Sequence, residues 1–128
     1  MELLPGLSAR LELTVTDADT AQAVGSGDVP VLGTPRALAL AEAATVAATA
    51  RRLNSGQTTV GTRVEFSHLA PSVVGRLVRA EAILADVEGR RLTFTVTLHD
   101  GETLVAEGRI ERIMVDRHRF VEKAHGIH

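Results

Sequence analysis

Polar and apolar residues alternate along five stretches of the chain, with the period of two that is typical of a β-strand with one buried face. The stretches cover residues 10–16, 58–69, 91–99 and 103–116, and less regularly 75–87. Glu88-Gly89 and Asp100-Gly101 lie between the last three stretches and predict tight hairpin turns. The pattern therefore predicts one early strand and four successive antiparallel strands in the second half of the chain.

One long helix is predicted between the first strand and the others. Residues 35–52 are rich in alanine, the best helix former, and Thr34 and Pro35 suit an N-cap and a first helical position. Residues 54–56 (Asn-Ser-Gly) end the helix. A single polar line interrupts its apolar surface: Glu42, Thr45, Thr49 and Arg52. A helix with so little polar surface is expected to be covered on most of its sides.

The order of these elements predicts an α+β architecture in which an antiparallel sheet wraps around one central helix, the hot-dog fold. Residues 17–30 predict a loop with room for one helical turn, and the last strand slips in phase near Arg112, which predicts a bulge. We expect a single domain over residues 1–128 that ends in a frayed tail from Lys123. A lone sheet leaves an edge strand uncovered, so a dimer that joins two sheets is expected.

Composition excludes several classes of function. The net charge of −2 lacks the basic excess of nucleic-acid binders, and with no Trp, no Tyr and only 3 Phe the chain lacks aromatic platforms for stacking bases. The absence of Cys excludes disulfides, thiolate metal sites and a cysteine nucleophile. No apolar run is long enough to span a membrane, and the first residues do not resemble a signal peptide. We expect a cytoplasmic protein that binds neither nucleic acid nor membrane.

Three residues are candidates for chemistry, and each has a structural alternative. Glu42 lies in a helix expected to be buried, which favours a functional carboxylate, but the polar line can equally be a solvated face. His68 lies on the strand face expected to point at the helix, either as a hydrogen-bonded core residue or as a catalyst near the strand end set by Pro71. Thr34 suits a helix cap, and its hydroxyl also lies where a developing oxyanion would be held.

Two glycines and the remaining histidines complete the set of candidates. Gly33 and Gly61 permit close approach of a ligand to the backbone, or alternatively satisfy a turn or a bulge. The other histidines show no metal-ligand spacing, and the sequence contains no phosphate-binding glycine loop and no nucleophile elbow. We therefore expect no metal and no cofactor.

Several motifs together resemble the fluoroacetyl-CoA thioesterase-like family of hot-dog proteins, from about residue 31 to residue 120. The resemblance rests on Gly33-Thr34 with Glu42 eight residues later, and on 60–62 (Val-Gly-Thr) followed by Ser67-His68. It continues through 87–92 (Val-Glu-Gly-Arg-Arg-Leu), 99–101 (His-Asp-Gly) and Glu111-Arg112. The combination is specific, although each motif alone is weak.

The resemblance implies a catalytic set of Thr34, Glu42 and His68, with Gly61 and Arg112 at the acyl pocket. It also implies a homodimer whose active sites lie at the subunit interface, while a pairing of dimers into tetramers stays open. In the fluoroacetyl-specific member, bulky Phe residues before the threonine form a lid, whereas this chain has the small and polar residues 25–29 (Gly-Ser-Gly-Asp-Val) there. The resemblance therefore leaves the acyl group open and does not carry selectivity for a fluorinated one.

The function predicted from the sequence is an acyl-CoA thioesterase that hydrolyses a small acyl-CoA thioester. Glu42 would act as nucleophile or as general base, His68 would orient or protonate, and Arg76 or Arg79 would meet the coenzyme A phosphates. The main alternative is a non-catalytic hot-dog module that binds an acyl thioester or a small carboxylate, because the fold alone does not decide function. A purely structural dimer and a hot-dog dehydratase explain the residues less well.

Overall fold

Five strands form one antiparallel sheet in this computed structural model, which describes residues 2–126. The strands are β1 (Ser8–Thr14), β2 (Gln57–His68), β3 (Leu77–Glu88), β4 (Arg91–Asp100) and β5 (Thr103–Asp116). They lie in the order β1-β3-β4-β5-β2, so β1 and β2 are the edges of the sheet. The two hairpin turns contain Gly89 and Gly101, whose φ angles of +61° and +60° are readily adopted only by glycine. The strands and turns predicted from the alternation are confirmed.

One long helix packs on a single face of this sheet. Helix α2 (Thr34–Thr49) follows the short helix α1 (Ala21–Val24), and the 3₁₀ turn Ala50–Arg52 extends its C-terminal end. It contacts all five strands, and β1 and β3 most extensively. Its buried side consists of small residues with one leucine: Ala37, Leu40, Ala41, Ala44, Thr45, Ala48 and Thr49. Small side chains let the helix approach the sheet closely. The opposing residues of β4 are buried as predicted: Leu92, Phe94, Val96 and Leu98.

The helix exposes a different side from the one that the sequence predicts. Thr45 and Thr49 are fully buried, and the Thr45 hydroxyl donates to the carbonyl oxygen of Glu42. The prediction of a solvated polar line through these threonines is therefore wrong, because their small side chains fit against the sheet. The exposed side is apolar instead and is called the α2 stripe below: Ala39, Ala43, Val46 and Ala47.

A bulge interrupts strand β2 and reverses the faces of its residues. The pairing of β2 with β5 shifts between Gly61 and Arg63, whereas β4 and β5 pair without a shift through Arg112. The extra residue is thus Thr62 on β2. The bulge predicted near Arg112 lies opposite Arg112 on the neighbouring strand β2 and not on the last strand at that position. Before the bulge, Thr59 is buried and Gly61 faces Glu42 of α2.

The chain ends differ in part from the prediction. Residues 17–30 form a loop that contains a 3₁₀ turn, Asp17–Asp19, and helix α1, in agreement with the prediction. A third helix, α3 (Arg117–Ala124), was not predicted, and it replaces the first part of the frayed tail expected from Lys123. Ile127 and His128, which complete that tail, lie outside the described residues. None of the helices within residues 2–126 has the length and apolar character required to cross a membrane.

Candidate active site

Thr34 and His68 meet at the N-terminus of α2. The backbone of Gly33 caps the helix without a side-chain hydrogen bond, and Thr34 is the first helical residue, followed by Pro35. The prediction of Thr34 as the N-cap is therefore wrong. Its Oγ1 lies 2.7 Å from Nδ1 of His68, which ends strand β2. The hydroxyl is thus paired with an imidazole rather than with the backbone of its own helix.

The surroundings of His68 favour its neutral form. Its Nε2 is buried and has no hydrogen-bond partner among residues 2–126. Burial lowers the pKa of His68 from its ordinary value of 6.5, and the backbone of Ala70 opposes this shift only in part. A neutral His68 can accept a proton through the nitrogen that faces Thr34.

The first turn of α2 offers a free backbone donor beside this pair. The Gly33 N–H donates to the carbonyl of Asp19, and Arg36 and Ala37 donate to the carbonyl of Gly33. Within the described part of the chain, the N–H of Thr34 has no such acceptor. The positive end of the helix dipole lies at the same place. A carbonyl oxygen that gains negative charge would be stabilised there by the Thr34 N–H, while the Thr34 hydroxyl is paired with His68.

A pocket of about 350 Å³ contains both Thr34 and His68. Its walls are the loop residues 26–29, the residues 31–34 that lead into α2, and the segment 68–71 after β2. Asp19 anchors the loop at one end, since it pairs with Arg36 at 2.9 Å and accepts the N–H and hydroxyl of Thr16. The loop residues 26–29 (Ser-Gly-Asp-Val) are thus part of this pocket.

Glu42 belongs to a second cluster together with Gly61 and Arg112. Arg112 Nη1 lies 3.4 Å from Glu42 Oε2, and a Cβ on Gly61 would stand 3.0 Å from that same oxygen. Arg112 is buried, whereas 38% of the Glu42 side chain is exposed. The expectation of a buried Glu42 is therefore wrong for a single chain. Burial lowers the pKa of Arg112, and the nearby Glu42 carboxylate partly restores it.

One chain does not bring all three predicted catalytic residues together. Thr34 and His68 are in contact, but Glu42 follows Thr34 by eight residues, which corresponds to about 12 Å along a helix axis. Within residues 2–126, Glu42 has no hydrogen bond to either residue, and it does not line their pocket. The two clusters are separate features of one protomer.

Comparison with known proteins identifies the family. The profile described as fluoroacetyl-CoA-specific thioesterase matches residues 15–118. The chain belongs to this family. The fluoroacetyl-CoA thioesterase of Streptantibioticus cattleyicolor is 36% identical over 93 residues, which is 73% of this chain and 67% of that protein. The resemblance inferred from the sequence motifs is confirmed.

Solved structures of the family and its neighbours confirm the hot-dog fold. A Thr-to-Ala variant of the fluoroacetyl-CoA thioesterase FlK, in complex with fluoroacetate, matches with a TM-score of 0.90. It is 28% identical, and the match covers 97% of this chain and 98% of that one. A hot-dog-like protein from Thermanaerovibrio acidaminovorans matches with a TM-score of 0.86 at 25% identity, over 95% and 90% of the two chains.

The two arginines suggested for coenzyme A lie away from the Thr34 pocket of this thioesterase family member. Arg76 binds both carboxylate oxygens of Asp100, with Nε at 3.0 and 2.9 Å, and Arg79 donates to the carbonyl of Gly101. These contacts raise the pKa of Arg76 and lower that of Asp100. Asp100 already neutralises Arg76, so Arg76 has less charge to offer a phosphate. Phosphate binding by Arg76 or Arg79 stays a prediction from the sequence.

Sequence reasoning missed one residue of the second cluster. Thr59 accepts a hydrogen bond from Arg112 Nε at its hydroxyl and one from Nη2 at its carbonyl, each at 2.9 Å. The alternation places Thr59 on the outer face of β2, and only the bulge at Thr62 turns it inward. The sequence indicates a bulge near Arg112 or Gly61 but does not place the extra residue at Thr62, so Thr59 could not be identified without the structure.

Proposed function

We propose that this acyl-CoA thioesterase cleaves its substrate with Thr34 and His68 of one chain and Glu42 of a second copy. The 2.7 Å contact between Thr34 Oγ1 and His68 Nδ1, at a helix N-terminus and inside a pocket, carries the proposal. A relative solved as a Thr-to-Ala variant with fluoroacetate supports a threonine in such a site. The substrate is the thioester of a small acyl group with coenzyme A.

The thioester carbonyl oxygen would lie at the first turn of α2. Its negative charge grows as the carbonyl carbon becomes tetrahedral, and donors fixed in place at that point lower the barrier. The Thr34 N–H is the donor that this chain offers to that oxygen, because the Thr34 hydroxyl proton is directed at neutral His68. His68, neutral at working pH, would hold the Thr34 hydroxyl in position and exchange a proton with it. A Cβ on Gly33 would stand 2.8 Å from Val24 Cγ2 and 3.1 Å from the Ala21 Cα, so packing against α1 requires this glycine, and a contact of its backbone with the substrate stays a prediction from the sequence.

In a homodimer, the second chain would supply the Glu42 carboxylate, which lies apart from Thr34 and His68 within a single chain. The α2 stripe is apolar yet exposed, and 45% of the Val46 surface is accessible in the single chain. Such a face beside an edge strand marks a surface that a partner covers. A two-fold axis near Ala39 would place the start of one α2 beside residue 42 of the other α2. The partner's Glu42 would then reach the pocket that contains Thr34 and His68.

Glu42 would act on the carbonyl carbon in one of two ways. As nucleophile it would form a mixed anhydride and release coenzyme A as thiol, and water would then cleave the anhydride. As general base it would deprotonate a water molecule that attacks the same carbon. Both routes use an ionised carboxylate, and both end with a free acid and coenzyme A.

The loop that forms one wall of the pocket sets the class of acyl group. Residues 26–29 contribute serine, glycine, aspartate and valine, so no aromatic side chain from this segment occupies the pocket. We therefore expect acyl groups larger than two carbons to enter, without preference for a fluorinated one. A cytoplasmic location stays a prediction from the sequence.

Release of coenzyme A from a panel of short, branched and aryl acyl-CoA thioesters tests the proposal directly. The chain contains no cysteine, so a thiol reagent detects the product without background from the protein. Glu42→Ala should lose at least about 100-fold in kcat, because the attacking group or its base is removed. Glu102→Ala, which removes an exposed carboxylate in the turn between β4 and β5, is the matched control and should keep normal turnover.

Two outcomes would contradict the proposal. Normal turnover in Glu42→Ala would remove Glu42 from the mechanism. Tight binding of acyl-CoA without turnover of any member of the panel would indicate the non-catalytic binding module instead.

A further inference from the structure

The guanidinium of Arg112 is buried, and Thr59 accepts two hydrogen bonds from it. The Thr59 hydroxyl accepts from Nε and the Thr59 carbonyl accepts from Nη2, each at 2.9 Å. The side chain of Arg112 is only 8% exposed. A buried cation is costly unless its donors are paired, so these two hydrogen bonds help to make the burial possible.

Two hydrogen bonds to one residue fix the orientation of the guanidinium plane. The group is rigid and planar, and its donors form a fork with set directions. With Nε and Nη2 bound to Thr59, Nη1 points at Glu42 Oε2 at 3.4 Å. Glu42 is the partly exposed member of the pair and has a flexible side chain. The position of the Glu42 carboxylate is therefore determined mainly by Arg112.

Gly61 leaves the space in which this ion pair forms. A Cβ at this position would stand 3.0 Å from Glu42 Oε2 and 3.4 Å from Arg112 Nη1. The first distance is tighter than nine in ten real Cβ contacts, so a side chain here would push the carboxylate away by a few tenths of an ångström. Gly61 and Arg112 thus both determine where Oε2 of Glu42 lies: the glycine leaves space for this oxygen, and the guanidinium binds it.

We infer that Thr59 is a positioning residue for the reaction: it orients Arg112, and Arg112 holds the Glu42 carboxylate in its reactive position. The inference rests on the proposed function of Glu42. It also gives Arg112 a different role from the one that the family resemblance implies. Arg112 is the fixed counter-ion of the catalytic carboxylate, because three of its five N–H donors are directed at Thr59 and Glu42 of its own chain.

Replacement of the Thr59 hydroxyl tests this role. Thr59→Val removes the acceptor of Nε at nearly constant volume, which frees the guanidinium to tilt away from Glu42. We expect kcat to fall by about 10- to 100-fold, as is typical when a reacting group is displaced by about an ångström, with KM within about twofold. Thr59→Ser retains the hydroxyl, so its kcat should stay close to the wild-type value.

Thr49→Val is the matched control. It makes the same change at a fully buried threonine whose hydroxyl has no partner among the described residues. This variant should keep kcat within about twofold. Unchanged kcat in Thr59→Val, together with lost activity in Glu42→Ala, would overturn the positioning role and leave the proposed function intact. Equal losses in Thr59→Val and Thr59→Ser would also overturn it.

Two further measurements guard against a variant that fails to fold and against a failure of the proposed function. Arg112→Lys keeps the charge but loses the fork, and it should lower kcat as Thr59→Val does. The Arg112 Nε–H resonance in a ¹⁵N spectrum should be protected from exchange in the wild-type protein and in Glu42→Gln, but not in Thr59→Val. Full protection in Thr59→Val would refute the anchor even if the protein hydrolysed no acyl-CoA.

Discussion

At the scale of single residues, chemical types could be predicted but partners could not. Thr34, Glu42 and His68 stand out in the sequence because of their surroundings, and the structure does pair Thr34 with His68. Thr34 was predicted as a cap because threonine commonly caps helices. The backbone of Gly33 fills that position instead, which leaves the hydroxyl free for an imidazole 34 residues away. Such long-range pairing leaves no trace in local sequence.

The protonation of His68 predicts how activity depends on pH. Neutral His68 accepts a proton from Thr34, whereas the imidazolium cannot. Burial lowers the pKa of His68 below 6.5, so kcat/KM should stay level down to that pH and fall only at lower pH. A pH series from about 4.5 to 8 with the best substrate of the panel measures this limb. His68→Gln should lower activity and remove the limb.

A different position of the limb would contradict this assignment. If kcat/KM of the wild-type protein already fell as the pH was lowered through about 7, a group with a raised pKa would be responsible. A limb that persisted unchanged in His68→Gln would likewise assign it to another residue.

At the scale of elements, periodicity predicted the strands and the helix because it reflects burial, and it failed for the residues of β2 that precede the bulge, whose position it did not fix. The bulge at Thr62 reverses the faces of β2, so the alternation that placed His68 correctly placed Thr59 wrongly. Helix α3 has no apolar face buried in this chain, which explains why periodicity did not predict it. The buried face of α2 was ambiguous because alanine and threonine fit on either side.

Close contact between β2 and β5 predicts that Gly108 tolerates no side chain. A Cβ there would lie well inside contact distance of the carbonyl oxygen of Glu65, and both are backbone positions that cannot rotate away. We expect Gly108→Ala to lower the free energy of unfolding by about 2–3 kcal/mol. Urea denaturation monitored by circular dichroism measures this change, since the chain contains no tryptophan.

Gly27→Ala provides the control for that experiment. A Cβ on Gly27 would make an ordinary contact of 3.5 Å with the Ala21 Cβ. Its free energy of unfolding should change by less than about 0.5 kcal/mol. Equal stability of Gly108→Ala and wild type would show that the two strands are further apart than described.

At the scale of the whole molecule, the sequence predicted an uncovered edge, and the structure adds an uncovered helix face. Strand β2 ends the sheet, and the α2 stripe beside it is apolar and exposed. Glu42 lies on the same helix, separated from the pocket of its own chain. These observations are explained together if a second copy covers this side and contributes its carboxylate. Which chain supplies each group cannot be derived from one sequence, because symmetry arises only on assembly.

The most direct measurement of this shared site is complementation between two inactive variants. Thr34→Ala and Glu42→Ala chains with different tags are co-expressed, and the heterodimer is isolated by both tags. If Glu42 acts across the interface, one of the two sites contains intact Thr34, His68 and Glu42, and turnover should reach about half of the wild-type value per dimer. Each variant alone should stay inactive. A heterodimer as inactive as its parents, or the absence of any dimer, would contradict the account.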